Sequence, residues 1–200
     1  QKYEAAVSVL PDDGRLWLGL ARETLAVQPT SGTSEASTLP ANATSAGFNA
    51  YKLLRTTKTR AEVLALLGAG LDRRDLYRPS LQAYEASLAL VSSLAVQADY
   101  ADLKARKGFR VIDHSVDADT SAPRICAQFS EDLVKTGVDY SQFVTVDNAP
   151  PKGVEAKDKQ ICVEGLEHGQ HYEVTFRAGL PAAIGEVTAA PVVLSIYVQD

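Results

Sequence analysis

The stretch Leu166-x-x-Gly169-x-x-Tyr172-x-Val174 constrains the fold of this chain more than any other feature. It has the spacing of a tyrosine corner, in which one strand ends at the leucine, the glycine turns the chain and the tyrosine starts the next strand. The tyrosine hydroxyl then reaches back to a backbone group a few residues upstream, so that a buried ring keeps its polar end satisfied. A plain β-hairpin with a glycine loop is the alternative interpretation.

Alternating apolar and polar residues predict strands throughout the second half of the chain. Loops are predicted at 117–123, 148–152 and 179–190, where turn-forming and small residues collect. Short strands at this spacing favour an antiparallel seven-stranded β-sandwich of fibronectin-like type over 108–200. The candidate strands are 109–116, 124–130, 140–147, 159–166, 171–178 and 192–199, with a weaker one between 152 and 156.

The first half of the chain, 1–107, has helical periodicity instead. A short first helix ends at Pro11, Asp12 and Asp13 are candidate N-caps, and the next helix contains Trp17. Residues 5–21 resemble the join between two tetratricopeptide repeats. We therefore predict a domain of α-helical hairpins at 1–107, followed by the sandwich domain at 108–200, which together make an α+β chain of two domains.

The rest of this half is predicted to contain a long loop, from its composition, and further helices, from their periodicity. The segment Gln28–Thr44 is rich in Ser, Thr, Pro and Ala, which is typical of a loop, and Asn42-Ala43-Thr44 in it matches a glycosylation acceptor. Further helices are predicted at 46–56 and 59–71, the second capped by Thr59 with Glu62 three residues on. Two more are predicted from Pro79 onward and at 96–106.

The distribution of charge argues against nucleic-acid binding. Residues 1–107 carry 13 Lys and Arg against 11 Asp and Glu, whereas residues 108–200 carry 7 against 14. Neither half contains the basic stripe that phosphate binding requires. The apolar runs are also too short for a membrane-spanning helix.

Cys126 and Cys162 lie in similar contexts, Arg-Ile-Cys-Ala-Gln-Phe and Gln-Ile-Cys-Val-Glu-Gly. They belong to the second and fifth predicted strands if the weak segment counts as the fourth. In a fibronectin-like sandwich these strands are antiparallel neighbours, and opposed residues there come close to disulfide geometry. A Cys126–Cys162 disulfide would indicate the periplasm or the outside of the cell. Two reduced, buried cysteines remain the alternative.

The residues that could support catalysis or metal binding do not form a recognisable set. Asp113, His114 and Ser115 are consecutive on a predicted strand, so their side chains alternate between faces and cannot form a relay. His168 and His171 flank Gly169 without a third metal ligand nearby. The acidic residues are best interpreted as a solvated face, although calcium is an alternative; they are Asp113, Asp117, Asp119, Glu131 and Asp132. We expect no enzyme activity, no catalytic residue, no bound metal and no cofactor.

Two stretches resemble the first macroglobulin-like domain of bacterial alpha-2-macroglobulins. They are Gly-Phe-Arg-Val-Ile-Asp-His-Ser-Val-Asp-Ala-Asp-x3-Pro-Arg-Ile-Cys-Ala-Gln-Phe-Ser-Glu-Asp-Leu at 108–133, and Gln-Ile-Cys-Val-Glu-Gly-Leu-x-His-Gly-x-x-Tyr-x-Val-Thr-Phe-Arg-Ala-Gly-Leu-Pro at 160–181. The resemblance covers about 108–200, and residues 1–106 are more weakly similar to an N-terminal segment that some members carry.

The resemblance implies a large periplasmic protein that traps proteases when its bait region is cleaved, with the possibility of an inner-membrane lipid anchor outside this sequence. Covalent capture in the family uses a thioester formed by Cys-x-Glu-Gln. The segment Cys162-Val163-Glu164-Gly165 lacks the glutamine, so no thioester forms here. This chain would then be a non-catalytic scaffold whose partners are downstream macroglobulin-like domains of the same chain, with proteases as targets of the whole protein. A free-standing periplasmic adaptor that binds proteins or peptides is the alternative.

Overall fold

The computed structural model describes residues 2–119 and 121–199. Gln1, Thr120 and Asp200 lie outside the described residues. Gln1 is the first residue of the predicted helical domain, Thr120 lies in the predicted 117–123 loop, and Asp200 is the last residue of the predicted sandwich domain. The chain divides into two compact units, one ending at Leu103 and one beginning at Lys104. The predicted domain boundary between residues 107 and 108 stays a prediction, and the helix that precedes it runs to Lys107.

Helices occupy the first unit, and consecutive helices among the first five pack against each other. The fifth and sixth helices share a hydrophobic cluster of Leu81, Tyr84 and Leu103. Between the fourth and fifth helices, the buried hydroxyls of Ser80 and Ser87 donate to the carbonyls of Gly68 and Ala61, each at 2.7 Å. Such bonds satisfy polar groups where two helices are too close for water. The helices of the described residues are α1 Lys2–Val9, α2 Gly14–Ala26, α3 Ser34–Leu53, α4 Thr57–Asp72, α5 Tyr77–Leu90 and α6 Leu94–Lys107.

The predicted loop at Gln28–Thr44 is wrong from Ser34 onward, because α3 begins there and continues through Pro40; residues 28–33 form the connection before it. One face of α3 carries small buried residues that let neighbouring helices approach closely, so tertiary packing outweighs the loop-like composition. The Asn42-Ala43-Thr44 triplet therefore lies on a helix. Thr44 is buried, and the Arg74 guanidinium donates to its hydroxyl oxygen at 3.2 Å.

Two details of the helix starts also differ from the prediction. Thr56, rather than Thr59, caps α4, and its hydroxyl accepts a hydrogen bond from the Thr59 amide at 3.3 Å. Pro79 lies in the first turn of α5, where its missing N–H leaves no helical hydrogen bond unmade. Tyr77 and Tyr84 are consequently on one helix and in one cluster with Leu103.

The second unit contains a four-stranded antiparallel sheet in the order β1-β2-β5-β4 and a three-stranded antiparallel sheet in the order β3-β6-β7. This is the strand order of a seven-stranded immunoglobulin constant-type sandwich. The strands are β1 Val111–Asp117, β2 Arg124–Phe129, β3 Val144–Val146, β4 Gly153–Lys157, β5 Gln160–Glu164, β6 His171–Phe176 and β7 Val192–Tyr197.

One core lies within this unit. Every second residue of β2 and β5 contributes to it, and the Phe129 ring meets Phe109 in a stacked arrangement and Phe176 edge-on. The predicted strand at 140–147 is wrong in its first half, since Tyr140–Phe143 forms a 3₁₀ turn. The Asp139 carboxylate caps this turn by accepting from the amide and hydroxyl of Ser141. These hydrogen bonds hold the pKa of Asp139 below its usual value.

Candidate functional site

The two cysteines form a disulfide on the face of the four-stranded sheet that points away from the sandwich core. Cys126 and Cys162 lie directly opposite each other on β2 and β5. Their neighbours Ile125, Ile161 and Val163 have side chains in the core. Because successive side chains of a strand point to opposite faces, the disulfide lies on the outer face. Both cysteines are nevertheless only 5% exposed.

Polar residues of adjacent strands surround the disulfide on this face. In register with it lie Ser115 on β1 and Glu155 on β4. Arg124 on β2 forms ion pairs with Asp117 on β1 and Glu155 on β4. Its Nε lies 3.2 Å from an oxygen of Asp117, and its Nη1 lies 3.3 Å from an oxygen of Glu155. These ion pairs are partly solvated and tie β1, β2 and β4 together only weakly.

The tyrosine-corner pattern forms a hydrogen-bonded turn between the two sheets. Leu166 is buried, Gly169 has a φ of 69° and Tyr172 starts β6. The Tyr172 hydroxyl oxygen accepts a hydrogen bond from the Glu167 amide, five residues upstream, at 2.9 Å. The Gly169 amide donates to the Val198 carbonyl at 2.9 Å, so the same turn also holds the end of β7.

A second tyrosine performs a related role that the sequence analysis did not predict. The Tyr140 hydroxyl accepts from the Val134 amide at 2.7 Å and lies 3.0 Å from the Pro181 carbonyl, to which it donates. The residue is 5% exposed, and burial raises the pKa of its phenol. Tyr140 therefore joins its own connection to the one that contains Pro181, 41 residues further along the chain.

The candidate chemical residues remain separated. Asp113, His114 and Ser115 are exposed on β1, and the Asp113 carboxylate accepts from the His114 backbone amide instead of meeting its ring. The His168 Nδ1 atom lies 2.9 Å from the Gln199 carbonyl, whereas the His171 ring lies beside Tyr197. Within residues 2–119 and 121–199, no group of three or more His, Cys, Asp or Glu has the arrangement of a metal site.

The helical unit presents one apolar groove of about 380 Å³ along α4. Small residues are among those that line it, and Val91, which follows the end of α5, is 39% exposed. Leu94, at the start of α6, is 84% exposed. The groove is lined by Lys58, Ala61, Glu62, Ala65, Ser87, Val91, Ser93 and Val96.

Trp17 contributes to helix packing. Its indole N–H donates to the Pro11 carbonyl at 2.7 Å, and its ring packs on the cluster of Leu18, Ala50 and Val63. In the part of the chain that the structure describes, no helix combines the length and hydropathy needed to cross a membrane.

Comparison with known proteins gives one structural similarity. The chain resembles the crystal structure of native alpha-2-macroglobulin from Escherichia coli spanning domains MG0-NIE-MG1. The match has a TM-score of 0.41 and 22% sequence identity, and it covers 50% of this chain and 34% of that chain. The chain therefore matches about a third of the length of that structure. No family model matches this sequence, and no curated protein matches it.

Proposed function

We propose that this chain is a non-catalytic scaffold portion of a bacterial alpha-2-macroglobulin-like, broad-range protease inhibitor. The proposal is supported chiefly by the placement of the two stretches that resemble the family. Residues 108–133 and 160–181 are separated in sequence, yet they supply the adjacent strands β2 and β5 and the disulfide between them. The stretch at 160–181 also supplies the tyrosine corner.

The roles of the residues in this proposal are structural. The disulfide and the two tyrosine hydroxyls fix the sandwich, which would dock on downstream macroglobulin-like domains of the same polypeptide. The bait and any thioester would lie outside these 200 residues, since Gly165 has no side-chain amide to condense with Cys162. A cross-strand disulfide fits an oxidising compartment, which supports the periplasm as the proposed location.

The experiment compares the 200-residue chain with the polypeptide that its natural gene encodes. Each is mixed with two proteases of different specificity, and cleavage of a large protein substrate is compared with cleavage of a small peptide substrate. We expect the natural polypeptide to protect the large substrate while the small one is still cleaved, because entrapment excludes only large molecules. We expect the 200-residue chain to protect neither.

Two results would contradict the scaffold proposal. Inhibition by the 200-residue chain alone would mean that it carries an inhibitory site of its own. A natural gene product without further macroglobulin-like domains would remove the family assignment. It would instead favour the adaptor, for which the groove along α4 and the exposed Val91 and Leu94 are the supporting observations. Binding of peptides in that groove would then be measured against an Ala65→Arg variant, which fills it.

A further inference from the structure

The edge strand β7 differs from the other sheet edges among the described residues. Natural sheets protect their edges with charges, bulges or very short strands. β1 has an irregular register between Val111 and Asp113, β3 is only three residues long, and β4 carries Glu155 and Lys157. By contrast, β7 pairs with β6 in an unbroken register of six residues. It lies in an uncharged segment of 13 residues, 187–199.

The backbone of β7 leaves three residues open at this edge. The Val198 amide donates to the Gln170 carbonyl at 2.9 Å, and the Val198 carbonyl accepts from the Gly169 amide, so both groups face β6. Backbone groups of an antiparallel strand face alternate sides, so those of Val193, Ser195 and Tyr197 face outward. The hydrogen bonds of β6 lead to the same assignment. Glu173 lies opposite Ser195, and its carbonyl accepts from the Asp147 amide on the side of β6 away from β7.

Features on both sides of Ser195 limit the open segment symmetrically. Four residues before it, Pro191 has no N–H to donate. Four residues after it, the Gln199 carbonyl already lies 2.9 Å from His168 Nδ1. In a twofold antiparallel pairing centred on Ser195, Pro191 of one copy would face Gln199 of the other. Pro191 cannot donate a hydrogen bond to the Gln199 carbonyl of the other copy, but that carbonyl already has a partner in His168.

From this geometry we propose that β7 binds a second copy of the chain, pairing antiparallel with its own β7 about a twofold axis at Ser195. Ser195 then faces Ser195 of the partner copy, and Val193 faces Tyr197 in both directions. Val193 and Tyr197 are 54% and 49% exposed and share one face, so the pairing covers two apolar side chains in each copy. The contact is isologous, and it joins two three-stranded sheets into one continuous sheet of six strands.

Analytical ultracentrifugation of the whole 200-residue chain tests the proposal. A single strand pair is a small interface, so we expect a reversible monomer–dimer equilibrium between about 10 μM and about 1 mM. Ser195→Lys and Ser195→Glu should each weaken dimerisation at least tenfold, because like charges then face each other across the axis. An equimolar mixture of the two variants should restore a dimer containing one copy of each.

Ser115→Lys is the matched control, since it places the same charge at an exposed position of the edge strand β1. It should leave the equilibrium unchanged, and circular dichroism should show that every variant is folded. A wild-type chain that stays monomeric throughout the range overturns the proposal and leaves an extended segment of another protein as the occupant of β7. Dimerisation that Ser195→Lys leaves intact, or that Ser115→Lys weakens equally, also overturns it.

Discussion

Two tyrosine hydroxyls hold connections of the sandwich, and their environments predict different energetic contributions. Tyr172 makes one hydrogen bond, to the exposed residue Glu167, whose amide water can reach if the bond is lost. Tyr140 is buried and bonds both the Val134 amide and the Pro181 carbonyl. Removing a buried partner leaves backbone groups unsatisfied, which is more unfavourable than losing a bond that water can replace.

We therefore expect Tyr140→Phe to lower the free energy of unfolding of the sandwich by about 2–3 kcal/mol and Tyr172→Phe by only about 1 kcal/mol. Urea denaturation, monitored by hydrogen exchange of the β2 and β6 amides, would measure both losses of stability. Tyr197→Phe, at an exposed ring, is the control and should stay within about 0.5 kcal/mol of wild type at low protein concentration. A larger loss for Tyr172→Phe than for Tyr140→Phe would mean that the hydrogen bond of Tyr172 stabilises the sandwich more than the two buried hydrogen bonds of Tyr140.

At the scale of secondary-structure elements, the α4–α5 hairpin depends on how closely its two helices approach. A Cβ atom at Gly68 would lie 2.7 Å from the Tyr84 ring, which is closer than real contacts allow. A Cβ atom at Gly70, two residues along the same helix, would meet its nearest neighbour, Thr44, at an ordinary 3.6 Å. The two glycines are buried in one helix but differ in what surrounds them.

Because of this difference, the same glycine-to-alanine substitution should change the stability of the helical unit in opposite directions at the two positions. We expect Gly68→Ala to destabilise the helical unit by about 1–3 kcal/mol, because Tyr84 or the α5 backbone must move. We expect Gly70→Ala to stabilise it by up to about 1 kcal/mol, because alanine is the better helix former. Thermal unfolding monitored by far-UV circular dichroism would measure both variants. If both substitutions raised the unfolding temperature, helix propensity alone would account for the stability of the hairpin. If both lowered it, packing alone would account for it.

Elements with a clear hydrophobic period could be predicted from the sequence, whereas those held by tertiary contacts could not. The alternation after residue 171 predicts β6, and the strand order of a fibronectin-like sandwich predicts that β2 lies beside β5. Helix α3 looks like a loop because its apolar face is made of alanine and glycine, which carry little hydrophobic signal. Tyr140–Phe143 runs without a break into the β-branched residues of β3, and only Asp139, two residues before Ser141, signals the capped turn.

At the scale of the whole molecule, each unit has its own hydrophobic clusters. The clusters around Leu18 and Leu81 lie before residue 104, and the sandwich core lies after it. Units with separate cores can unfold separately, so a single unfolding free energy does not describe the chain. A perturbation confined to one unit then reveals how far the other responds.

The disulfide provides that perturbation. Its cysteines are 36 residues apart, for which the chain-entropy estimate is a stabilisation of about 4 kcal/mol. We expect a Cys126→Ala, Cys162→Ala variant to lose stability of about this size in the sandwich, and reductant to have the same effect on the wild-type chain. Hydrogen exchange measured by mass spectrometry should show faster exchange in β2 and β5, with α4 and α5 unchanged.

The comparison of the two units decides how the result is interpreted. Equal acceleration in α4 and α5 would mean that the units unfold as one body and that the separate cores do not act separately. No acceleration in β2 and β5 would mean that the paired strands hold without the covalent link between them. Acceleration confined to the sandwich would place the stabilising effect of the cross-link where both cysteines lie, on the outer face of the four-stranded sheet.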